Sequence, residues 1–324
     1  MTESAPLGAA PKRTIFTTSA RQMQLGVIVG LGEGEMGERT PRYRDIENMA
    51  RAAEQSGFDS FWVADHLLVR MPDQPEVGTW EAFTFLSALA ATTSRILLGP
   101  LVACTSFRNP ALLAKMADGL DEISNGRFIL GLGAGWHQPE YTAFGYPFDH
   151  LAGRFEEALK IIVPLLREGA VDFEGQYYTA RDCFLRPRGP TPNGPPIWIG
   201  AKQPRMLQLS AQYADGFNTV WHRTPETAAP RLDDFRQACA KQGRDVATVD
   251  LSIGTLAHIL APGETRKADE KGIVGEAEEV AEGLAAFAAL GVQHLIIIIT
   301  PEDISGIERF GKVIELLDER LPPI

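Results

Sequence analysis

A chain of 324 residues, 44% hydrophobic and with a formal net charge of -11, is long enough for one large α/β domain and carries both charge signs scattered along its length. No basic face is visible for nucleic acid to contact, and the strongest apolar run, Leu295 to Ile299, is far too short to cross a bilayer. Three widely spaced cysteines, Cys104, Cys183 and Cys239, make neither a disulfide framework nor a metal cluster, so a cytoplasmic protein without a bound metal is expected.

Residues 1–21 read as a loose N-terminal tail ahead of one domain over 22–324, because they lack an apolar segment of signal-peptide length. Short apolar runs then alternate with longer amphipathic stretches. Met23 to Val29 is the first run, and the helix Pro41 to Ser56 ends at Gly57, where a left-handed C-cap belongs. Phe58 to Ala64 is the second run, followed by a helix over Thr79 to Thr93. Arg95 to Ala103 is the third, after which Asn109-Pro110 supplies a cap and a first-turn proline for the next helix.

Arg127 to Gly133 is the fourth run, with a helix over Arg154 to Arg167 behind it. Glu168 to Pro196 is rich in Gly and Pro and is expected to be an irregular insertion that serves as a lid or cofactor cover. Pro196 to Ala201, Gly216 to Trp221, Val249 to Leu256 and Val292 to Ile299 complete eight runs. Helices over Pro204 to Tyr213, Thr227 to Gln242 and Ala277 to Leu290 lie between or beside them. Eight strands alternating with helices predict a (β/α)8 TIM barrel with an insertion after the fourth helix; a doubly wound open sheet is the competing arrangement.

In such a barrel, chemistry gathers at the C-terminal strand ends. The second strand ends in Asp65-His66, where imidazole can move a proton and the carboxylate can fix its tautomer or bind a ring N–H. The third ends in Leu101-Val102-Ala103-Cys104; Cys104 is either a redox thiol or a small buried hydrophobe. Gly131 to Gly135 is too loose a glycine pattern for a dinucleotide fingerprint and is better read as close backbone approach. Trp136 beside it either stacks on a flat ring or plugs the barrel. Gly200-Ala201-Lys202 and Arg205, at a helix start, suit a phosphate or are plain solvated cations. His137, His150 and His222 are expected as solvated loop histidines. HExxH, GxSxG and Walker motifs are absent from the sequence.

Several stretches taken in order carry a resemblance. They are Gly57 to His66, Phe107 to Lys115, Gly126 to Trp136, Phe173-Glu174-Gly175, Pro195 to Gly200 and Ala214-Asp215-Gly216. Together they resemble the luciferase-like flavin monooxygenases and deazaflavin-dependent reductases, over nearly the whole chain from Met23 to Leu317. The resemblance implies a homodimeric barrel that binds F420 or FMN and a non-prolyl cis peptide at Leu101–Val102 behind the ring. It also implies Asp65 and His66 lining the ring and substrate pocket, and a phosphate-side contact at Gly200-Ala201-Lys202. Leu101, Val102, Cys104, Gly135, Trp136 and Arg205 complete the expected cofactor contacts.

The leading expectation is hydride transfer between F420 and a small organic substrate, with His66 as acid/base and Asp65 orienting or binding. An FMN-dependent monooxygenase fed by a separate flavin reductase is the alternative, and a non-catalytic flavin-binding barrel ranks below both. A phosphate-handling isomerase comes last. Some deazaflavin sugar-phosphate dehydrogenases carry a glutamate where Trp136 stands and a tryptophan where Arg70 stands, so their proton-donor chemistry does not transfer.

Overall fold

The computed structural model describes residues 21–35, 39–261, 263–266 and 272–321. The tail expected over residues 1–21 therefore lies outside the described residues apart from Arg21, whose guanidinium pairs with buried Asp59 at 3.0 Å and with Asp318 at 2.5 Å.

The strands run β1 (Gln24–Val29), β2 (Ser60–Val63), β3 (Leu68–Val69), β4 (Val77–Gly78), β5 (Leu97–Pro100), β6 (Ala103–Cys104) and β7 (Leu130–Gly133). They continue as β8 (Ala170–Glu174), β9 (Thr179–Phe184), β10 (Ile197–Gly200), β11 (Gly216–Thr219), β12 (Asp250–Ile259), β13 (Ile273–Gly275) and β14 (His294–Thr300). The α-helices are α1 (Tyr43–Ser56), α2 (Ala82–Thr92), α3 (Pro110–Ser124), α4 (Gln138–Phe144) and α5 (Leu151–Glu168), then α6 (Pro204–Tyr213), α7 (Pro225–Lys241), α8 (Ala277–Ala285) and α9 (Ile304–Arg320).

The main sheet is parallel in the order β5-β2-β1-β14-β12-β11-β10-β7-β6. Strands β5 and β6 are two halves of one strand, separated by the cis peptide Leu101–Val102, so the two ends of this path meet. A bridge between Leu98 and Phe128 adds to that closure. The result is the expected eight-stranded barrel.

Local chemistry sets the helix ends as read from the sequence. Gly57 sits at φ 94 and caps α1, its N–H donating to the Ala53 carbonyl. Asn109 accepts from the Ala111 and Leu112 amides at the start of α3, with Pro110 in the first turn. The insertion departs from expectation. Between α5 and β10 lies an antiparallel hairpin of β8 and β9 rather than an irregular segment, held by Glu157, which accepts from the Gln176, Tyr177 and Tyr178 amides. The hairpin β3–β4 and the short β13 alongside β12 are likewise additions to the eight runs read from the sequence.

Inside the barrel, Ile28, Trp62, Leu97, Ile129, Trp198 and Ile296 form a core separate from the one between strands and helices. Trp62 and Trp198 stack with ring centroids 5.3 Å apart, and His294 meets both edge-on. Two indoles fit only because neighbouring strands carry glycine. A Cβ on Gly216 would lie 2.4 Å from the Trp198 ring, and one on Gly26 would lie 2.7 Å from Trp62 Nε1. Beneath the indoles, Trp62 Nε1–H donates to Ser60 Oγ at 2.6 Å, and the His294 ring bonds Ser60 and Gln24. Burial holds His294 down to about 3, so it is a neutral part of this floor.

Candidate active site

Above the indole floor, the C-terminal strand ends form the mouth. Val102 leans from the broken third strand toward β7 and β10. A Cβ on Gly133 would lie 2.6 Å from Val102 Cγ2, and one on Gly200 would lie 3.4 Å from it. A Cβ on Gly131 would clash with the Pro100 carbonyl oxygen at 2.1 Å. The glycine run and Gly200 thus make room for the third strand itself, which accounts for the pattern without a dinucleotide.

Asp65 is buried and fully committed. Its carboxylate takes a bidentate grip from Arg108 at 2.7 and 2.8 Å and accepts from the Cys104 amide at 2.9 Å. Arg108 also pairs with Glu81, the N-cap of α2, and lies 4.4 Å over the Phe83 ring. Burial works against the Arg108 charge, but Asp65 and then Glu81 outweigh it and raise its pKa. Asp65 therefore pins the chain just past Val102, and its carboxylate is not the group hydrogen-bonded to His66.

Cys104 is packed, not presented. Its Sγ lies 2.9 Å from the Tyr141 hydroxyl, and burial pushes the thiol up to about 12. Such a thiol holds its proton at neutral pH, so the redox-thiol reading gives way to the small buried hydrophobe. Gly135 belongs to the same cluster: at φ +81 a Cβ there would lie 1.9 Å from the Tyr141 hydroxyl oxygen.

The partner of His66 is Glu140, at the start of α4. Its Oε1 lies 3.0 Å from His66 Nδ1, while Oε2 accepts the Leu67 amide at 3.0 Å. The Glu140 side chain is 3% exposed and that of His66 is 25% exposed. Trp136 meets the His66 ring edge-on at 5.8 Å and is 60% exposed, so it stands at the mouth and does not plug the barrel. His137 is buried, its Nε2 accepting the Arg70 amide at 2.9 Å. His222 is buried too, with Nε2 3.0 Å from Thr219 Oγ1. Neither is the solvated loop residue expected; His150 alone of the three is exposed. An acid in the first turn of a helix directly after a strand end was the available signal for Glu140.

At the start of α6, Lys202 and Arg205 are both exposed. Arg205 is spent on Glu156 at 2.8 Å, whereas Lys202 makes no ion pair with a described residue. His222 is held below its ordinary value by burial first, with Lys202 and Arg231 adding to the effect against a hydrogen bond from the ring to the Thr227 backbone carbonyl. Trp221, joined to Val220 by a second non-prolyl cis peptide, is 41% exposed. The Ser106 hydroxyl is buried beside Tyr141 and Tyr178 without a hydrogen bond of good geometry.

Across the mouth, two carboxyls flank Gly30, the residue after β1. The Gly30 amide donates to Glu302, and the Glu35 carboxyl fills the space where a Gly30 side chain would lie. Burial, opposed by the Gly30 amide and reinforced by Glu35, pushes Glu302 up to about 7. Burial and then Asp215 do the same to Asp250 at the opposite end of the barrel. A carboxyl raised in the folded state costs no stability below its unfolded value of about 4. The cost grows as pH rises through the folded value near 7, then levels. Unfolding midpoints in urea should therefore fall less between pH 5 and 8 for Glu302→Gln than for the native chain. Identical slopes would remove Glu302 from this account.

Comparison with known proteins adds the decisive observation: residues 23–271 match the luciferase-like monooxygenase family. The chain belongs to that family. Among its luciferase-like relatives, the pyrimidine monooxygenase RutA of Rhizobium rhizogenes is 34% identical over 255 residues. That match takes in 70% of this chain and 65% of the relative, so the chain spans a little under two thirds of that relative's length. RutA of Methylobacterium radiotolerans is 33% identical over 300 residues, covering 80% of this chain and 74% of the relative. The luciferase-like barrel also superposes on an F420-dependent secondary alcohol dehydrogenase solved with an F420-acetone adduct, at a TM-score of 0.76 and 21% identity. That superposition covers 91% of this chain and 99% of the other. Monooxygenase RslO1 from Streptomyces bottropensis gives 0.74 and 22%, over 90% and 99%. At these identities the two structures show the shared fold alone. Among the described residues, no helix is long and apolar enough to cross a membrane.

Proposed function

We propose that this chain is a monooxygenase that uses reduced flavin and acts on a pyrimidine or a similar small cyclic amide, with His66 as acid/base. The observation that carries the reading is the mouth itself, where His66 Nε2, without a hydrogen-bond partner among the described residues, lies beside an exposed indole at the end of a barrel filled by stacked indoles. The RutA relatives support oxygenation and the substrate class.

The residues present fit a flat cofactor with an anionic tail. The buried Ser106 hydroxyl and Lys202, neither with a side-chain partner of good geometry among the described residues, would take polar and anionic groups, while Leu101 and Val102 would back the ring. When bound, a reduced flavin supplies the electrons for oxygen chemistry. The chain's own part is to orient the substrate against the ring, exclude water and hold a proton at His66. A separate flavin reductase would supply the reduced cofactor. Hydride transfer with F420 is the second reading, favoured by the exposed cation of Lys202, which would meet a poly-anionic tail.

Equilibrium titration with FMN and F420, each oxidised and reduced, tests the proposal. Tight binding of reduced FMN supports it; tight F420 binding with weak FMN binding transfers the site to hydride chemistry, and binding of neither overturns both. Lys202→Ala should weaken cofactor binding by about tenfold, the loss of one charge-assisted contact. Unchanged affinity would take Lys202 out of the site.

A further inference from the structure

Glu140 does more than neighbour His66. Its Oε2 accepts a backbone amide, Leu67 N–H at 3.0 Å, which can only donate. As a carboxylate Glu140 has no proton to donate, so Oε1 at 3.0 Å, with Oε2 at 3.3 Å behind it, accepts a ring N–H from His66 Nδ1. Both bonds are shielded by a side chain 3% exposed, and Glu140 has a backbone-anchored position rather than a free swing. On the other side of the ring, His66 Nε2 has no hydrogen-bond partner among the described residues. Neither flanking ring is hydrogen-bonded to Nε2: the Trp136 ring stands roughly perpendicular to the imidazole with centroids 5.8 Å apart, and His137 has its own Nε2 occupied by the Arg70 amide.

We infer that Glu140 is a positioning residue that holds His66 as the Nδ1–H tautomer, so that the mouth offers a lone pair at Nε2 and selects substrates presenting an N–H or O–H donor. In the step this permits, the substrate N–H or O–H bond breaks and the proton passes to Nε2. The bonding pair stays on the substrate atom, and Glu140 balances the new imidazolium charge. The substrate part of this inference rests on the proposed site; the tautomer does not.

The test begins with nitrogen NMR of the native chain carrying labelled histidine, with the His66 signals assigned by their loss in His66→Gln. A protonated Nδ1 and a bare Nε2 are expected; the opposite tautomer overturns the inference whatever cofactor the protein binds. Glu140→Gln leaves one acceptor for two donors: with its oxygen on the Leu67 amide its NH2 faces Nδ1, so it, like Glu140→Ala, should shift the tautomer towards Nε2–H. Retention of Nδ1–H in the alanine variant would dismiss Glu140 as the positioning residue. For the substrate arm, methylating both ring nitrogens of a pyrimidine should weaken its binding about tenfold or more in the native chain, because the Nε2 lone pair loses its donor. Equal binding of the methylated ring would overturn the donor requirement, while the flavin titration tests the site independently.

Discussion

Replacing Arg108 with alanine is expected to lower the free energy of unfolding by about 3–5 kcal/mol, the range for removing one partner of a buried ion pair. The side chain of Asp65 is 0% exposed and that of Arg108 is 9% exposed, so water cannot take over the lost bonds. The variant strands a carboxylate under the mouth, strips Glu81 of its cation and removes the stack over Phe83. Lysine should rescue only part of the loss, since a point charge cannot reproduce the fork that grips both Asp65 oxygens. Adding Asp65→Asn to Arg108→Ala should recover stability, because the buried charge then disappears with its partner. Urea unfolding of the four proteins decides the matter. A loss under about 1 kcal/mol for Arg108→Ala would mean that Asp65 is far better solvated than its burial indicates.

The second large effect belongs to chemistry. His66→Ala should reduce turnover of a pyrimidine by roughly 10²–10⁴, the usual worth of a positioned acid/base, with cofactor affinity nearly unchanged. Turnover and flavin binding measured side by side separate the roles. If both fall together, His66 holds the ring and another group moves the proton. Comparison with Arg108→Ala is informative, since that variant should lose stability first.

Much of the barrel could be read from the sequence because its signals are local. Gly57 and Asn109-Pro110 mark helix ends through groups within a few residues, and the apolar runs mark strands by period. The hairpin of β8 and β9 escaped because its strands are half-exposed and leave little apolar contrast. The site was legible only as far as strand ends reveal it. Asp65 and His66 are adjacent in sequence, yet they turn to different partners, Arg108 and Glu140, 43 and 74 residues on. Only barrel closure brings those partners in, and no spacing rule anticipates that. His137 and His222 show the same limit: their burial comes from neighbours on other strands and loops.

The paired indoles under the mouth have an optical consequence. Trp62 and Trp198 are fully buried at the centre of the barrel, while Trp80, Trp136 and Trp221 are exposed. Indole emission overlaps the absorption of isoalloxazine and deazaflavin rings, so a ring settling over that floor would draw excitation from below and from the sides. The protein would thus carry its own fluorescent gauge of occupancy, with the inner pair insensitive to solvent changes and the three exposed indoles sensitive to them. Binding of such a ring would be followed on the native chain without any label.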